Sequence, residues 1–291
     1  MRLDEKHYLC TAEKANGKSN PLRMRKITDI HELRQIQMGI LDDIHRFCQE
    51  QDLTYFLACG SLLGAVRHGG YIPWDDDIDL FMPRRDYEAF VKRYQSATGH
   101  YRVIDPATEE HYYYTFAKVV DERTRMVEDE VQGYEIGVFI DVFPLDYVPD
   151  DAEERRRLFK KKYLLYKIRR CKLSKSNPLR VKGRLPLRSR IGYLCYKYWP
   201  MSVGQLERKI RRLIVREKPT GWVCNMTESG PRTDASYPSS TIASAVEIAF
   251  EGKTYLTMAG YKEYLSRTYG DYMTLPPPEQ RVTHHFQAYW L

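Results

Sequence analysis

Four aspartates within five residues, Asp75, Asp76, Asp77 and Asp79 in the string WDDDIDLF, constrain this chain more than any other feature. Like charges so close raise one another's pKa, so a stable fold must set something positive among them. A hard divalent cation meets that need, because Mg²⁺ prefers carboxylate oxygens and keeps positions open for phosphate. Ile78–Phe81 alternates acid and apolar residues, as a half-exposed strand does. Residues two apart on a strand share a face, so the spacing predicts that Asp77 and Asp79 project together while Ile78 and Leu80 anchor the strand. A further carboxylate for a second ion must come from elsewhere. Asp141, in VFIDVF, alternates with apolar neighbours in the same way and is the candidate. The expectation is therefore a site of two ions, Mg²⁺ or Mn²⁺, held by Asp77, Asp79 and Asp141 and clamping an in-line displacement. An isolated acidic run would read as a solvated turn; the apolar flanks, and a second motif upstream, argue against that.

That second motif is Gly60-Ser61, between the apolar run TYFLA (a predicted strand, 54–58) and the short helical stretch LLGAVRH. A helix N-terminus offers unpaired N–H groups and a positive dipole end, which suits phosphate. Capping the helix is the structural alternative. Arg67 and His68, ahead of Gly69-Gly70, are candidates for phosphate contact or for stabilising the helix C-terminus. Trp74 either stacks on a ligand or braces the acidic loop. Lys118, in a predicted strand at 115–120, either holds a donor phosphate or forms a surface salt bridge.

Elsewhere, apolar residues at helical spacing from Ile30 to Phe47 predict a helix capped by Thr28 or Asp29. Further helices are expected at 85–94, 203–215 and 261–269, the last ended by Gly270. A strand is expected at 137–143, closed by Pro144, and a hairpin about Glu251-Gly252-Lys253. Between Arg155 and Arg190 lie 16 Lys or Arg and no acid, within a net charge of +7. This segment is either a solvated basic helical face or a patch that meets an anionic membrane surface; it carries no nucleic-acid-binding motif. The fold class expected is α+β: residues 1–26 a lead-in, 27–149 and 221–291 a catalytic core, and 150–220 a basic helical insertion. The cysteines form no CxxC pair, which argues against a zinc knuckle and for reduced thiols in a cytoplasmic setting. No apolar run approaches the roughly 18 residues of a membrane span.

A Gly-Ser strand–helix turn followed by an apolar-flanked DxD and a later strand acid resembles the nucleotidyltransferase fold of the polymerase β type. The string LACGSLLGAVRHGGYIPWDDDIDLFMPRRDYEAF closely resembles the LicD family, relatives of fukutin and fukutin-related protein. FAKVVDERT, GVFIDVFPLD, FEGKTY, YGDYM and LPPPE extend the likeness toward the C-terminus. The resemblance implies a nucleotidyltransferase core with a mixed sheet. It also implies transfer of phosphocholine, or a related polyol phosphate, from a CDP-linked donor to a glycan or lipid-linked glycan, at the inner face of the membrane if peripheral. The family's metal aspartates fall on Asp77 and Asp79, and Asp75 matches another acid of the motif, a candidate for deprotonating the acceptor. No zinc site like that of fukutin-related protein is carried over. Attachment of a nucleotide to a small molecule or RNA, and a non-catalytic scaffold binding glycan or membrane, are the rival readings. His284 and His285 carry little weight as catalytic residues.

Overall fold

A computed structural model describes residues 24–109, 112–127, 135–174, 187–227, 235–281 and 286–291. It is a mixed α+β arrangement, as expected. Among the described residues the main sheet has seven strands. Its central pair is β3 (Asp79–Pro83) and β8 (Phe139–Val148), which run parallel; β2 (Phe56–Leu57) lies antiparallel outside β3. On its other edge β8 is flanked first by β5 (Ala117–Asp121), then by β9 (Trp222–Asn225), both antiparallel. β4 (Tyr101–Ile104) pairs with β5, and β10 (Tyr237–Pro238) with β9.

Pro144 was expected to end the β8 strand, yet the strand passes through it. Asp141 donates its backbone N–H to Ile78, so odd-numbered amides on β8 face β3 and the Pro144 nitrogen faces the other edge. There, β5 starts opposite Val142 and β9 ends opposite Leu145. The missing N–H falls in that gap and costs no ladder bond.

Helix α1 (Ile30–Glu50) is capped by the Asp29 side chain and buries Leu33, Ile36, Ile40, Leu41, Ile44 and Phe47, as the periodicity predicts. Helix α2 (Cys59–His68) begins three residues earlier than expected, so Gly60 and Ser61 sit in its first turn. Helix α3 (Arg84–Arg93) packs on β3 and β8. A buried two-pronged ion pair, Arg84 to Asp146 at 2.6 and 2.7 Å, ties its first residue to β8. The hairpin β11 (Ala245–Phe250) and β12 (Lys253–Met258) and helix α7 (Tyr261–Tyr269) complete this core. A smaller sheet joins β1 (Arg25–Ile27), β13 (Gln287–Trp290), β6 (Thr124–Val127) and β7 (Glu135–Ile136) in that order.

The basic segment has its own apolar cluster. Leu158, Phe159, Leu165, Tyr166 and Ile168 of α4 (Ala152–Leu173) meet Leu206, Ile210 and Ile214 of α6 (Val203–Ile214), over Val148 and Cys224 of the sheet. α5 (Leu187–Lys197) packs against α4. The expectation of a uniformly solvated basic face is corrected at two positions. Lys162 is buried, and Arg169 is fully buried, donating to the carbonyls of Tyr112, Tyr113 and Tyr114 and to Glu207. No described helix is long and apolar enough to cross a membrane.

One close contact connects fold to site. After α2 the chain turns at Gly69 and runs back along the helix; a Cβ on Gly64 would stand 2.4 Å from the Gly70 carbonyl oxygen and 3.0 Å from the Ile72 nitrogen. Both neighbours are backbone, so neither can swing aside. Gly64→Ala is expected to cost about 1–3 kcal/mol, the range for overpacking, measured by chemical denaturation; an unchanged midpoint would contradict the packing described.

Candidate active site

The parallel register sets Asp79 of β3 directly beside Asp141 of β8, and the antiparallel register sets Lys118 of β5 on the other side of Asp141. Three charged residues thus stand in a row across three strands, with Phe81 and Phe143 one position along on the same face. The Lys118 ammonium donates to Asp141 Oδ1 at 2.6 Å and is buried. Lys118 was open to reading as a surface salt bridge; it is an interior ion pair, with the rings of Phe139, Tyr114 and Phe116 at 3.3, 4.2 and 5.5 Å from Nζ.

Asp77 precedes the strand, which begins at Asp79, so the two do not alternate along one strand as expected. They remain close enough for Asp79 to be the largest charge acting on Asp77. Burial, then Asp79, Asp75, Asp141 and Asp76, push Asp77 well above the ordinary carboxylate range. Burial, then Asp141 and Asp75, do the same to Asp79, against the pull of Lys118 and the Cys59 thiol. Burial also raises Asp141, partly offset by Lys118, and lowers Lys118 against the attraction of Asp141.

The start of α2 is stitched to β3. Ser61 Oγ accepts the Asp79 N–H at 2.9 Å, and the Asp79 carbonyl accepts the Ala58 N–H at 3.0 Å. Ser61 therefore fixes the strand that carries the acid. Gly60 is required by close approach: a Cβ there would stand 2.6 Å from Asp75 Oδ2. That carboxylate lies against the positive end of α2, where negative charge is favoured. Cys59, at the same helix start, has φ of 47°, a left-handed conformation uncommon for a side-chain-bearing residue, and its sulfur meets the Tyr264 hydroxyl at 3.7 Å.

Sequence reasoning missed the residues that hold the acidic loop. Arg34 of α1 donates to the carbonyls of Ile72, Pro73 and Asp75, the last at 2.6 Å, and lies over the Tyr71 ring. Gln37, one turn on, donates to the Asp76 carbonyl and accepts from the Tyr71 hydroxyl. The available signal was Gln37 itself, a buried amide within the apolar stripe of α1. Trp74 packs partly against the core, between the His68 ring and the Arg281 guanidinium, and so braces the loop. Arg67 donates to the Tyr272 carbonyl and to His68. Both lie about two turns along α2 from Gly60. His284 and His285 fall outside the described residues.

Among the described residues no group of three or more His, Cys, Asp or Glu is already placed to hold a metal ion. The donor chemistry nevertheless fits a hard divalent ion. Asp77, Asp79 and Asp141 offer only carboxylate oxygens; burial raises all three, and neighbouring carboxylates raise Asp77 and Asp79 further. Asp141 Oδ1 is engaged by Lys118.

Comparison with known proteins fits this geometry. The sequence profile of the LicD/FKTN/FKRP nucleotidyltransferase domain matches residues 52–179. The lipopolysaccharide cholinephosphotransferase LicD of Haemophilus influenzae is 31% identical over 275 residues, covering 92% of this chain and 100% of that protein. Uncharacterized proteins of Rickettsia prowazekii and Rickettsia typhi are each 40% identical over 47 residues, 16% of this chain and 18% and 15% of theirs.

The crowding yields a stability prediction. Asp79 has a folded pKa above its unfolded value, so the native state holds the proton more tightly and stability falls as pH rises through that window. In chelator at pH 7, Asp79→Asn should therefore stabilise the fold, by about 1 kcal/mol, and the gain should shrink as pH is lowered toward the unfolded carboxylate pKa. Denaturant melts across pH 4.5–7.5 test this; an Asn variant less stable at every pH would refute it.

Proposed function

Because the chain belongs to the LicD family, we propose that it transfers a phosphocholine or related polyol-phosphate group from a CDP-linked donor to a hydroxyl of a cell-surface glycan or its lipid-linked precursor. The core is read as a nucleotidyltransferase fold. The observation that carries the reading is the charged row Lys118–Asp141–Asp79 beside the start of α2. Acids crowded against a helix N-terminus suit phosphoryl transfer, where catalysis rests on positioning and charge rather than on covalent chemistry.

Asp77, Asp79 and Asp141 would hold Mg²⁺ or Mn²⁺. When bound, such an ion neutralises the donor pyrophosphate. The start of α2, kept narrow at Gly60, receives a donor phosphate. Asp75, lying against Gly60, takes the proton of the acceptor hydroxyl. The acceptor oxygen bonds to the phosphorus bearing the head group, the bond from that phosphorus to the bridging oxygen breaks, and CMP departs.

A donor screen tests the assignment. With CDP-choline, CDP-ethanolamine, CDP-glycerol and CDP-ribitol supplied in turn with glycan acceptor, mass spectrometry should find CMP and a glycan heavier by the phosphorylated head group. Chelation should stop turnover, and Asp77→Asn should slow it about 10²-fold or more. Pyrophosphate released from a nucleoside triphosphate, with no CMP from any CDP donor, would replace this reading with nucleotide attachment.

A membrane-facing role for the basic insertion is favoured by a specific observation. Tyr163 and Leu164 of α4, Ile191 and Leu194 of α5, and Tyr198 and Trp199 beyond it are exposed. On α4 they share the outer face with Lys160, Lys161 and Lys167. Apolar side chains ringed by cations suit the head-group region of an anionic bilayer. Vesicles rich in phosphatidylglycerol should bind the protein at low salt and release it as salt screens the attraction. Changing Lys160, Lys161 and Lys167 to Gln should weaken binding by about 1 kcal/mol per cation. Co-sedimentation indifferent to salt, lipid charge and these substitutions would remove the membrane role.

A further inference from the structure

Lys118 is a buried cation with no part in the steps above. Its Nζ is fixed on Asp141 Oδ1 at 2.6 Å, inside a box of Phe139, Tyr114 and Phe116. Ring faces hold an ammonium by electrostatic attraction and keep water from it. The box, the register on β5 and the near-complete burial leave Nζ little room to withdraw. A second divalent ion placed against Oδ1 of Asp141 would crowd, and be repelled by, the ammonium already there.

We infer that Lys118 is a resident counter-cation, taking beside Asp141 the place that a second metal ion takes in a two-ion site, so that the chain binds one divalent ion. The inference rests on the proposed metal reading and revises the two ions expected from sequence to one. Asp77, Asp79 and Asp141 would hold the ion, which would leave positions for the donor's phosphate oxygens and water, the usual way Mg²⁺ is bound. Lys118 acts through Asp141 and is a positioning residue: it holds that carboxylate in register with Asp79 and cancels one negative charge of the cluster. A fixed positive charge this close also repels the incoming ion, so the wild-type site trades ion affinity for a single, defined occupancy.

The test is ion stoichiometry on the full chain, read from free Mn²⁺ by electron paramagnetic resonance, with calorimetry alongside. Wild type should bind one Mn²⁺. Lys118→Met, close in volume and uncharged, should bind the first Mn²⁺ ~10-fold or more tightly, as Coulomb's law gives for a unit charge removed at this range, and should take up a second. Its melting temperature in chelator should fall, and Mn²⁺ should raise it further than it raises that of wild type. Should Lys118→Met fail to fold, Lys118→Gln, uncharged and able to keep a hydrogen bond to Asp141, should bind the first Mn²⁺ ~10-fold or more tightly than wild type. Two ions on wild type, or a single-site Lys118→Met with unchanged or weakened affinity, would overturn the inference. So would unchanged or weakened affinity in Lys118→Gln. Absence of any Mn²⁺ binding by wild type, with or without CDP-choline, would fell the metal reading itself and this inference with it.

Discussion

Asp79 and Asp141 stand side by side on neighbouring parallel strands, and the surrounding structure is arranged to contain their repulsion. Lys118 on the third strand answers one of the charges from within. Removing one member of such a buried pair leaves the other uncompensated, at a cost of about 3–5 kcal/mol. The pair also fixes geometry, because each member is set by strand register rather than by a flexible loop. The aromatic residues of this face, Phe81, Phe143, Phe116 and Tyr264, pack ring to ring alongside the acids and supply the apolar floor on which a small polar site can be rigid.

The remaining acids arrive on a loop, and the loop is governed by its backbone. Arg34 and Gln37 take four of its carbonyls, while Gly64 lets it pass close against α2 and Ser61 ties its far end to the helix start. None of these contacts uses a carboxylate of the cluster. The loop is thus held through its backbone, whose position does not depend on the carboxylates of the cluster.

Much of this was legible in the amino-acid order. The apolar period of α1 read directly, and its cap was narrowed to Thr28 or Asp29, of which Asp29 caps; Gly270 after α7 also read directly, because helix ends are decided by local chemistry. The strand of Asp141 was found from alternation, but its length was not: whether Pro144 ends a strand depends on which edge its nitrogen faces, and that is a property of the neighbouring strands. The Lys118 environment was likewise illegible, since the box comes from residues 114, 116 and 139, and only the sheet brings the last beside the others. Charge counting along the insertion overstated its solvation, because Arg169 meets its acceptors some 55 residues away and Lys162 lies in the cluster between α4 and α6.

The small sheet has a consequence for the order of events during synthesis. β13 stands between β1 and β6, and Trp290 donates to Glu32 in the first turn of α1. β13 is translated after every other described element. Until it leaves the ribosome, β1 has no partner strand in that sheet and the N-terminal end of α1 lacks its Trp290 tether. The same helix carries Arg34 and Gln37 one turn further on. The segment that closes the small sheet therefore also steadies the start of the helix whose Arg34 and Gln37 hold the acidic loop.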